Sequence, residues 1–224
     1  MCFSAEADFV TGAVIGVVGV ATLAKVEHPR ELALGAVPLA LAMHQIVEGF
    51  VWLGLDHKAS NSSSDPAVYL YVVFAWVALP VLLPLAIMLV EPRVDRRRLM
   101  AGFVVLGAAV GVYLLSSIVD GHVTAHVAEH TIQYGGAGSF ATLATVLYVI
   151  ATCAPPLLAS YHPIVWFGAA NIVAVAVIAF IQADGLTSVW CAWAAVVSVL
   201  VYLQFSTWRR SSVEPPVDLI ARRM

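Results

Sequence analysis

Apolar residues dominate this chain in seven long runs separated by short polar turns. The runs cover residues of about 9–24, 32–55, 67–90, 98–119, 139–158, 164–183 and 187–207. A helix needs about 20 apolar residues to cross a hydrocarbon core of about 30 Å. Strands of a membrane barrel would instead show segments of about 10 residues with alternating polarity. The pattern therefore predicts an all-α bundle of seven transmembrane helices over residues 1–208, embedded in a lipid bilayer.

Basic residues predict the direction of these spans, because lysine and arginine favour the cytoplasmic side of a membrane. If the N-terminus lies outside, the inner segments hold Lys25, Arg30, Arg93, Arg96, Arg97, Arg98, Arg209, Arg210, Arg222 and Arg223. The outer segments hold Lys58 alone. Removing or adding a span would scramble this division. We therefore expect a multi-pass plasma-membrane protein with its N-terminus outside, and a cytoplasmic tail at 209–224.

The composition agrees with a membrane protein and excludes several classes of function. Charged residues make up 11% of the 224 residues, whereas a soluble domain typically carries about 25%. The sequence has no glycine-rich phosphate loop, no serine nucleophile elbow and no basic nucleic-acid patch, so no nucleic-acid partner is expected. The last span contains no lysine, which excludes a retinal Schiff base there.

Small residues and prolines predict how the spans pack. Gly12 and Gly16 in the first span, and Gly107 and Gly111 in the fourth, form small-xxx-small patterns that let helix backbones approach closely. In the third span, Pro80 and its neighbour Pro84 each remove a helix hydrogen bond. We expect them to disturb the turn before them and to kink this helix near the middle of the membrane.

The second span carries two ionisable residues, His44 and Glu48, one helical turn apart. An ionisable group at the centre of a span costs roughly 2.5–3.5 kcal/mol and usually marks a functional site. With this span running outward, Glu48 lies about 6 Å closer to the outside than His44. One interpretation is a buried His–Glu hydrogen bond that joins two helices. The other assigns both residues as metal ligands, proton-transfer groups or catalytic groups.

Three histidines recur every fourth residue in the outer segment between the fourth and fifth spans. They are His122, His126 and His130. We interpret this segment as a short helix capped by Asp120 and stopped by Gly135, with the histidines in a stripe. Histidines at i and i+4 of a helix can bind one metal ion. Alternatively, the stripe is the wet face of a helix that lies in the membrane interface.

Two cysteines also fall toward the outer face. Cys2 lies in the N-terminal tail, and Cys191 lies about one turn inside the last span. They could form a disulfide on the oxidising face, or ligate a metal as thiolates, or play unrelated packing roles. Cys153, near the inner end of the fifth span, is expected to be a small apolar filler.

The predicted topology brings sulfur, imidazole and carboxylate groups to one depth of the membrane. The candidate ligands are Cys2, Glu48, His122, His126, His130 and Cys191. This donor set is typical of a zinc or copper site, provided that the helices carrying it are neighbours. The expected partner is then a metal ion or a small molecule at the outer face.

Several short segments resemble one prokaryotic family of multi-pass membrane proteins. They are the opening Met-Cys-Phe-Ser-Ala, the stretch from Glu48 to Leu53, the Glu91-Pro92 turn and the Ser188-Val189-Trp190-Cys191 segment. The family is a domain of unknown function, and the resemblance covers nearly the whole chain. It implies a membrane location and supplies no activity, cofactor or ligand set.

Three functional hypotheses remain open. The first is a membrane metalloprotein with an outer-face site, which could be an enzyme in which Glu48 acts as a general base. The second is a non-catalytic sensor of metal or pH, or an assembly factor. The third is a small-solute or proton-coupled transporter that uses His44 and Glu48 as relay groups. The sequence shows no convincing half-to-half repeat, which counts against a transporter.

Overall fold

The computed structural model describes residues 4–57, 66–121, 123–128, 131–135, 142–181 and 186–210. Within these ranges the chain forms seven helices and one pair of strands. The helices are α1 (Ala5–Leu23), α2 (Leu32–His57), α3 (Pro66–Val90), α4 (Val94–Asp120), α5 (Thr142–Leu157), α6 (His162–Ile181) and α7 (Leu186–Arg210), and the strands are β1 (Thr124–Ala128) and β2 (Thr131–Gly135). Each predicted span therefore lies on a helix, and the predicted all-α class is confirmed.

The lengths of the first four helices suit a membrane. Within the described ranges, α1, α2, α3 and α4 are each long and apolar enough to cross a bilayer. The outward side of α1 carries valines at positions 10, 14, 17 and 20 that are between 61% and 71% exposed. Its opposite side, with Ile15, is buried. An apolar surface of this kind is expected where lipid replaces water around a helix.

The helices pack in a ring in which consecutive helices touch and α7 returns to α1. Helix α2 also contacts α7, and α3 also contacts α5, so these contacts cross the interior of the ring. One end of the bundle holds the start of α1, the end of α2 and the strand pair, and we call it the hairpin end. The other end holds the turn between α3 and α4, and we call it the Glu91 end.

Glycines bring two pairs of neighbouring helices into close contact, as predicted. A Cβ added to Gly12 would lie 2.9 Å from Ile46 Cγ1 on α2, so α1 and α2 leave no room for a side chain there. A Cβ added to Gly107 of α4 would overlap the carbonyl oxygen of Pro80 on α3. Gly16 is looser, since its added Cβ would lie 3.8 Å from Ala42.

Helix α3 widens into a π-helical turn over Val73–Ala78, directly before Pro80. Proline has no N–H to donate to the turn before it, and a local π-helical adjustment can satisfy the backbone groups that this gap frees. The hydroxyl of Tyr148 on α5 donates a 2.6 Å hydrogen bond to the carbonyl of Ala75 inside this turn. The predicted disturbance of the turn before the proline is therefore confirmed, and a neighbouring helix stabilises it.

The short helix predicted between the fourth and fifth spans is wrong. Asp120 is the last residue of α4 and does not cap a new helix, and Gly135 ends a strand. Strands β1 and β2 pair antiparallel, with Ala125 opposite Tyr134. The β-branched residues of the segment favour strands. A spacing of four residues keeps side chains on one side of a strand as well as near one side of a helix, so the histidine pattern did not distinguish the two.

Candidate functional site

Polar and ionisable side chains meet inside the bundle at the hairpin end. Asp8 lies in the first turn of α1, where Ser4 caps the helix by accepting a 3.3 Å hydrogen bond from the Ala7 N–H. An acid in this turn is favoured by the helix dipole. Asp8 is nevertheless fully buried, and its Oδ1 accepts a 2.6 Å hydrogen bond from Nε2 of Gln45 on α2. This bond joins α1 to α2 in the bundle interior.

Helix α2 directs a second and a third polar residue to its buried side. Glu48 is fully buried, and His44 is 8% exposed. Residues 44, 45 and 48 share this side because three or four residues make about one turn. We call Asp8, His44, Gln45 and Glu48 the polar cluster. Burying this many polar groups away from water costs free energy, and ionisable groups that are kept in a helix despite this cost usually mark a functional site.

The imidazole of His44 lies in a column of aromatic rings that ends in the hairpin. It stacks on Tyr71 of α3 with ring centroids 4.1 Å apart and an interplanar angle of 16°. Tyr71 also stacks on Tyr134 of β2, at 4.3 Å and 14°. The rings of His44 and Tyr134 are both too close to Tyr71 to stack on the same face of it. Tyr71 therefore lies between His44 and Tyr134. Phe74 contacts His44 at 4.7 Å and extends the column.

The hairpin also packs into the bundle through apolar side chains. Val123, Ala125 and Ile132 are at most 1% exposed and belong to the same buried cluster as Tyr71 and Trp52. The hairpin is therefore attached to the end of the bundle that holds the polar cluster. Its attachment includes the ring column, in which Tyr134 of the hairpin stacks on Tyr71 and Tyr71 stacks on His44.

The predicted ligand His126 lies on the exposed side of the hairpin. Its Nε2 is 3.0 Å from Oε1 of Gln133 on the paired strand. Glu48 is fully buried, so the structure does not bring these two residues together. Within the described ranges, no group of three His, Cys, Asp or Glu side chains is arranged to hold a metal ion.

The side chains of the other four predicted ligands lie outside the described part of the structure. Cys2, His122 and His130 lie outside the described residues, and Cys191 lies on α7 with its side chain not described. The zinc or copper site and the Cys2–Cys191 disulfide therefore stay predictions. Cys153 is buried with a free thiol, in agreement with its expected packing role.

Sequence reasoning assigned no role in the site to Asp8, Gln45, Tyr71 or Tyr134. A local signal existed for Asp8, which shares its helix side with Gly12 and Ile15, the residues that pack inward. No signal existed for Tyr71, because aromatic residues occur on two opposite sides of α3 and the sequence does not show which side meets α2.

Another buried acid, Glu91, holds the Glu91 end together. Glu91 is 1% exposed, and its carboxylate accepts hydrogen bonds from the Ser160 N–H at 2.8 Å and the Ser160 hydroxyl at 2.5 Å. It also accepts a 3.1 Å bond from the Arg93 N–H. Arg96 donates to the carbonyls of Leu158 and Ala159, at 3.0 and 2.8 Å. These bonds fasten the α3–α4 turn to the α5–α6 turn.

Tyr161 lies next to this fastening, in the turn before α6. Burial raises the pKa of its phenol above the usual range, and the nearby carboxylates of Glu91 and Glu31 raise it further. The phenol therefore stays neutral at physiological pH. Glu31 itself accepts hydrogen bonds from the Glu27 and His28 N–H groups and holds the turn that precedes α2. These contacts indicate a structural role for the Glu91 end.

An apolar segment of α2 separates the two polar regions. Between Glu31 and His44 the buried positions of the helix include Leu34, Val37 and Leu41. Thirteen residues at a rise of 1.5 Å put the two ends about 20 Å apart along the helix. Along α2, the described structure therefore shows two polar regions and an apolar segment between them.

Comparison with known proteins agrees with the coarser part of the resemblance noted above. The model of a family described as "Family of unknown function (DUF6629)" matches residues 1–216. No curated protein matches the chain. No solved structure matches it.

Proposed function

We propose that this chain, which belongs to this family of unknown function, is a seven-span plasma-membrane protein that senses protons through the polar cluster in its outer half. The observation that carries the proposal is the ring column, which connects the buried imidazole of His44 to the hairpin.

Three features support seven spans with the hairpin end outside. A helix lies on every one of the seven predicted segments, α1 exposes a stripe of valines, and basic residues divide ten to one between the two sides. The Glu91 end, which holds Arg93 and Arg96–Arg98, is then cytoplasmic.

The burial of His44 supports a response to protons. An imidazolium surrounded by Tyr71 and Phe74 loses its hydration, and this costs free energy in the buried arrangement. Asp8 and Glu48 are the acidic groups of the same cluster. Acidification that charges His44 therefore favours an arrangement in which water reaches the imidazole. Because Tyr71 lies between His44 and Tyr134, that rearrangement loosens the hairpin.

The described arrangement favours sensing over conduction and over metal catalysis. The apolar segment around Val37 does not offer a row of polar groups from one end of α2 to the other. A relay through His44 and Glu48 alone would stop there. A metal site would need ligands beyond the described residues to join Glu48, whereas the proton site uses groups already in the cluster.

Hydrogen exchange of the hairpin is expected to respond to pH through His44. In protein reconstituted into nanodiscs, lowering the pH from about 7.5 to about 5 should raise the exchange rate of residues 123–128 and 131–135, after correction for the intrinsic rate. The expected change is on the order of tenfold, equal to about 1.4 kcal/mol. His44→Gln should abolish it, because glutamine does not titrate.

Two histidine controls and a chelator make this test specific. His162→Gln alters an exposed histidine at the Glu91 end, and His126→Gln alters the exposed histidine of the hairpin itself. Both should retain the response. A full response in His44→Gln, or its loss in His126→Gln, would contradict the proposal. A response that requires added Zn²⁺ or Cu²⁺ and disappears with EDTA would favour the metal-site hypothesis instead.

Labelling of single cysteines is expected to show the proposed direction. With the three native cysteines replaced by serine, Ser63→Cys in the outer loop should react with a membrane-impermeant maleimide in intact cells. Ser212→Cys in the tail should react only after permeabilisation, because the bilayer shields it. Labelling of Ser212→Cys but not of Ser63→Cys in intact cells would show that the spans run in the opposite direction. Labelling of both in intact cells would contradict seven spans.

A further inference from the structure

The turn between α3 and α4 carries four arginines within six residues, at positions 93 and 96–98. Arg93 and Arg98 are exposed, and Arg97 is half-buried. Arg96 is committed to the carbonyls of the α5–α6 turn. The other three guanidinium groups therefore provide the outward charge of this turn. We call Arg93, Arg97 and Arg98, with their neighbours Val94 and Leu99, the arginine surface.

The acids nearby do not cancel this charge. Glu91 is buried, and its carboxylate is used by Ser160 and the Arg93 N–H. Asp95 is exposed and supplies a single negative charge. Three arginines against one aspartate leave a net charge of about +2 on the surface of the turn, so the turn attracts anions.

The arginine surface lies at the depth of lipid headgroups. Helix α4 has 27 residues, which is about 40 Å, whereas the hydrocarbon core is about 30 Å thick. Its ends therefore reach beyond the hydrocarbon. Trp166, in the second turn of α6, is 70% exposed near the same end of the bundle. Exposed tryptophan is typical of the interface between hydrocarbon and headgroups.

Two exposed apolar side chains lie beside the arginines, which fits a lipid better than a soluble polyanion. Val94 is 49% exposed and Leu99 is 53% exposed. Such residues are expected to contact acyl chains, while guanidinium groups reach the phosphates and bind them with two parallel hydrogen bonds. A nucleic acid or an acidic peptide would leave both apolar side chains in water.

From this combination we infer that the arginine surface binds the headgroups of anionic phospholipids. The inference rests on the membrane placement in the proposed function and is independent of the proton site. In the proposed direction the surface faces the cytoplasmic leaflet. Arginine near an anionic bilayer surface gains about fivefold in binding per residue, which corresponds to about 1 kcal/mol each. Removing Arg93 and Arg98 should therefore weaken headgroup binding by about 25-fold.

Native mass spectrometry of the detergent-purified full chain tests this inference. Phosphatidylglycerol and phosphatidylcholine are titrated separately against the wild type and against Arg93→Gln/Arg98→Gln. We expect the wild type to retain phosphatidylglycerol selectively and the double variant to lose that selectivity. Arg93→Lys/Arg98→Lys keeps the charge and should retain most of the binding. Lys25→Gln/Arg30→Gln removes two charges from another turn at the same end and should cost less.

Other outcomes would overturn the inference. Equal retention of both lipids by the wild type would exclude headgroup selection. If Lys25→Gln/Arg30→Gln loses phosphatidylglycerol binding as strongly as the Arg93/Arg98 double variant does, the lipid is held by the overall positive charge of this end and not by a surface at this turn. Displacement of phosphatidylglycerol by a short single-stranded DNA would favour a soluble polyanion. The cysteine labelling and the pH response of the hairpin are separate readouts, so failure of the lipid surface is distinguishable from failure of the proposed function.

Discussion

Gly107→Ala is expected to destabilise the protein by about 3 kcal/mol or to prevent its folding, because overpacking of this severity lies at the upper end of the usual range. The added methyl group would overlap the carbonyl oxygen of Pro80, and that oxygen belongs to the backbone of α3. A backbone atom cannot turn away as a flexible side chain can. Helices α3 and α4 would have to separate, and the packing beside the π-helical turn would be lost.

Gly102 provides a matched control on the same helix. No atom lies within 4 Å of a Cβ added there, so Gly102→Ala meets no obstacle. Alanine is a better helix former than glycine, and the variant should be neutral or more stable by up to about 1 kcal/mol. Thermal unfolding in detergent, followed by loss of the monodisperse peak, compares the two variants. Equal stability of Gly107→Ala and Gly102→Ala would show that α3 and α4 do not approach this closely.

Glu91→Ala is expected to cost about 3 kcal/mol, because hydrogen bonds to a charged group contribute about 1.5–3 kcal/mol each and act together here. The variant leaves the N–H groups of Ser160 and Arg93 without their acceptor. Ser160→Ala removes the hydroxyl donor but keeps the N–H bond, so its loss of stability should be smaller. Chemical unfolding in mixed micelles gives the free energy of unfolding for each variant.

Asp95→Ala is the control for this series, since Asp95 is exposed in the first turn of α4. Surface substitutions of this kind usually change stability by less than about 0.5 kcal/mol. If Glu91→Ala and Asp95→Ala behave alike, the α3–α4 and α5–α6 turns are not held together by Glu91. If the stability of Ser160→Ala lies between those of the wild type and Glu91→Ala, the hydrogen bonds of Glu91 do hold the two turns together.

Local patterns were sufficient for the helices. A run of apolar residues long enough to span a bilayer predicts a helix wherever it occurs, and the seven runs all became helices. The effects of Gly107 and Pro80 were also predictable from the residue type alone, because a missing side chain permits close approach of two helices and a missing N–H disturbs one turn. The prediction of a helix for the histidine segment was wrong for a local reason too, since the four-residue spacing of its histidines fits a strand as well as a helix.

The candidate site depended on contacts that a local pattern does not contain. His44 and Glu48 were found because both lie on one helix, where burial of ionisable groups is costly. Asp8 and Gln45 are 37 residues apart in sequence, and Glu91 and Ser160 are 69 apart. No periodicity relates residues at such distances. The prediction that Glu48 shares a site with His126 required the His126 side chain to point into the bundle. The direction of that side chain depends on the strand pairing of the hairpin, and His126 lies on the exposed side, next to Gln133.

The sequence by itself determined the helices, their approximate ends and the expectation of a membrane, because hydropathy and chain length act on each segment independently. It also determined which residues were costly to bury. The tertiary structure alone decided which of them meet, because contact depends on how each helix is rotated about its axis and which helices are neighbours. The ring column from His44 through Tyr71 to Tyr134 joins two helices and a strand, and it exists only after all three have packed.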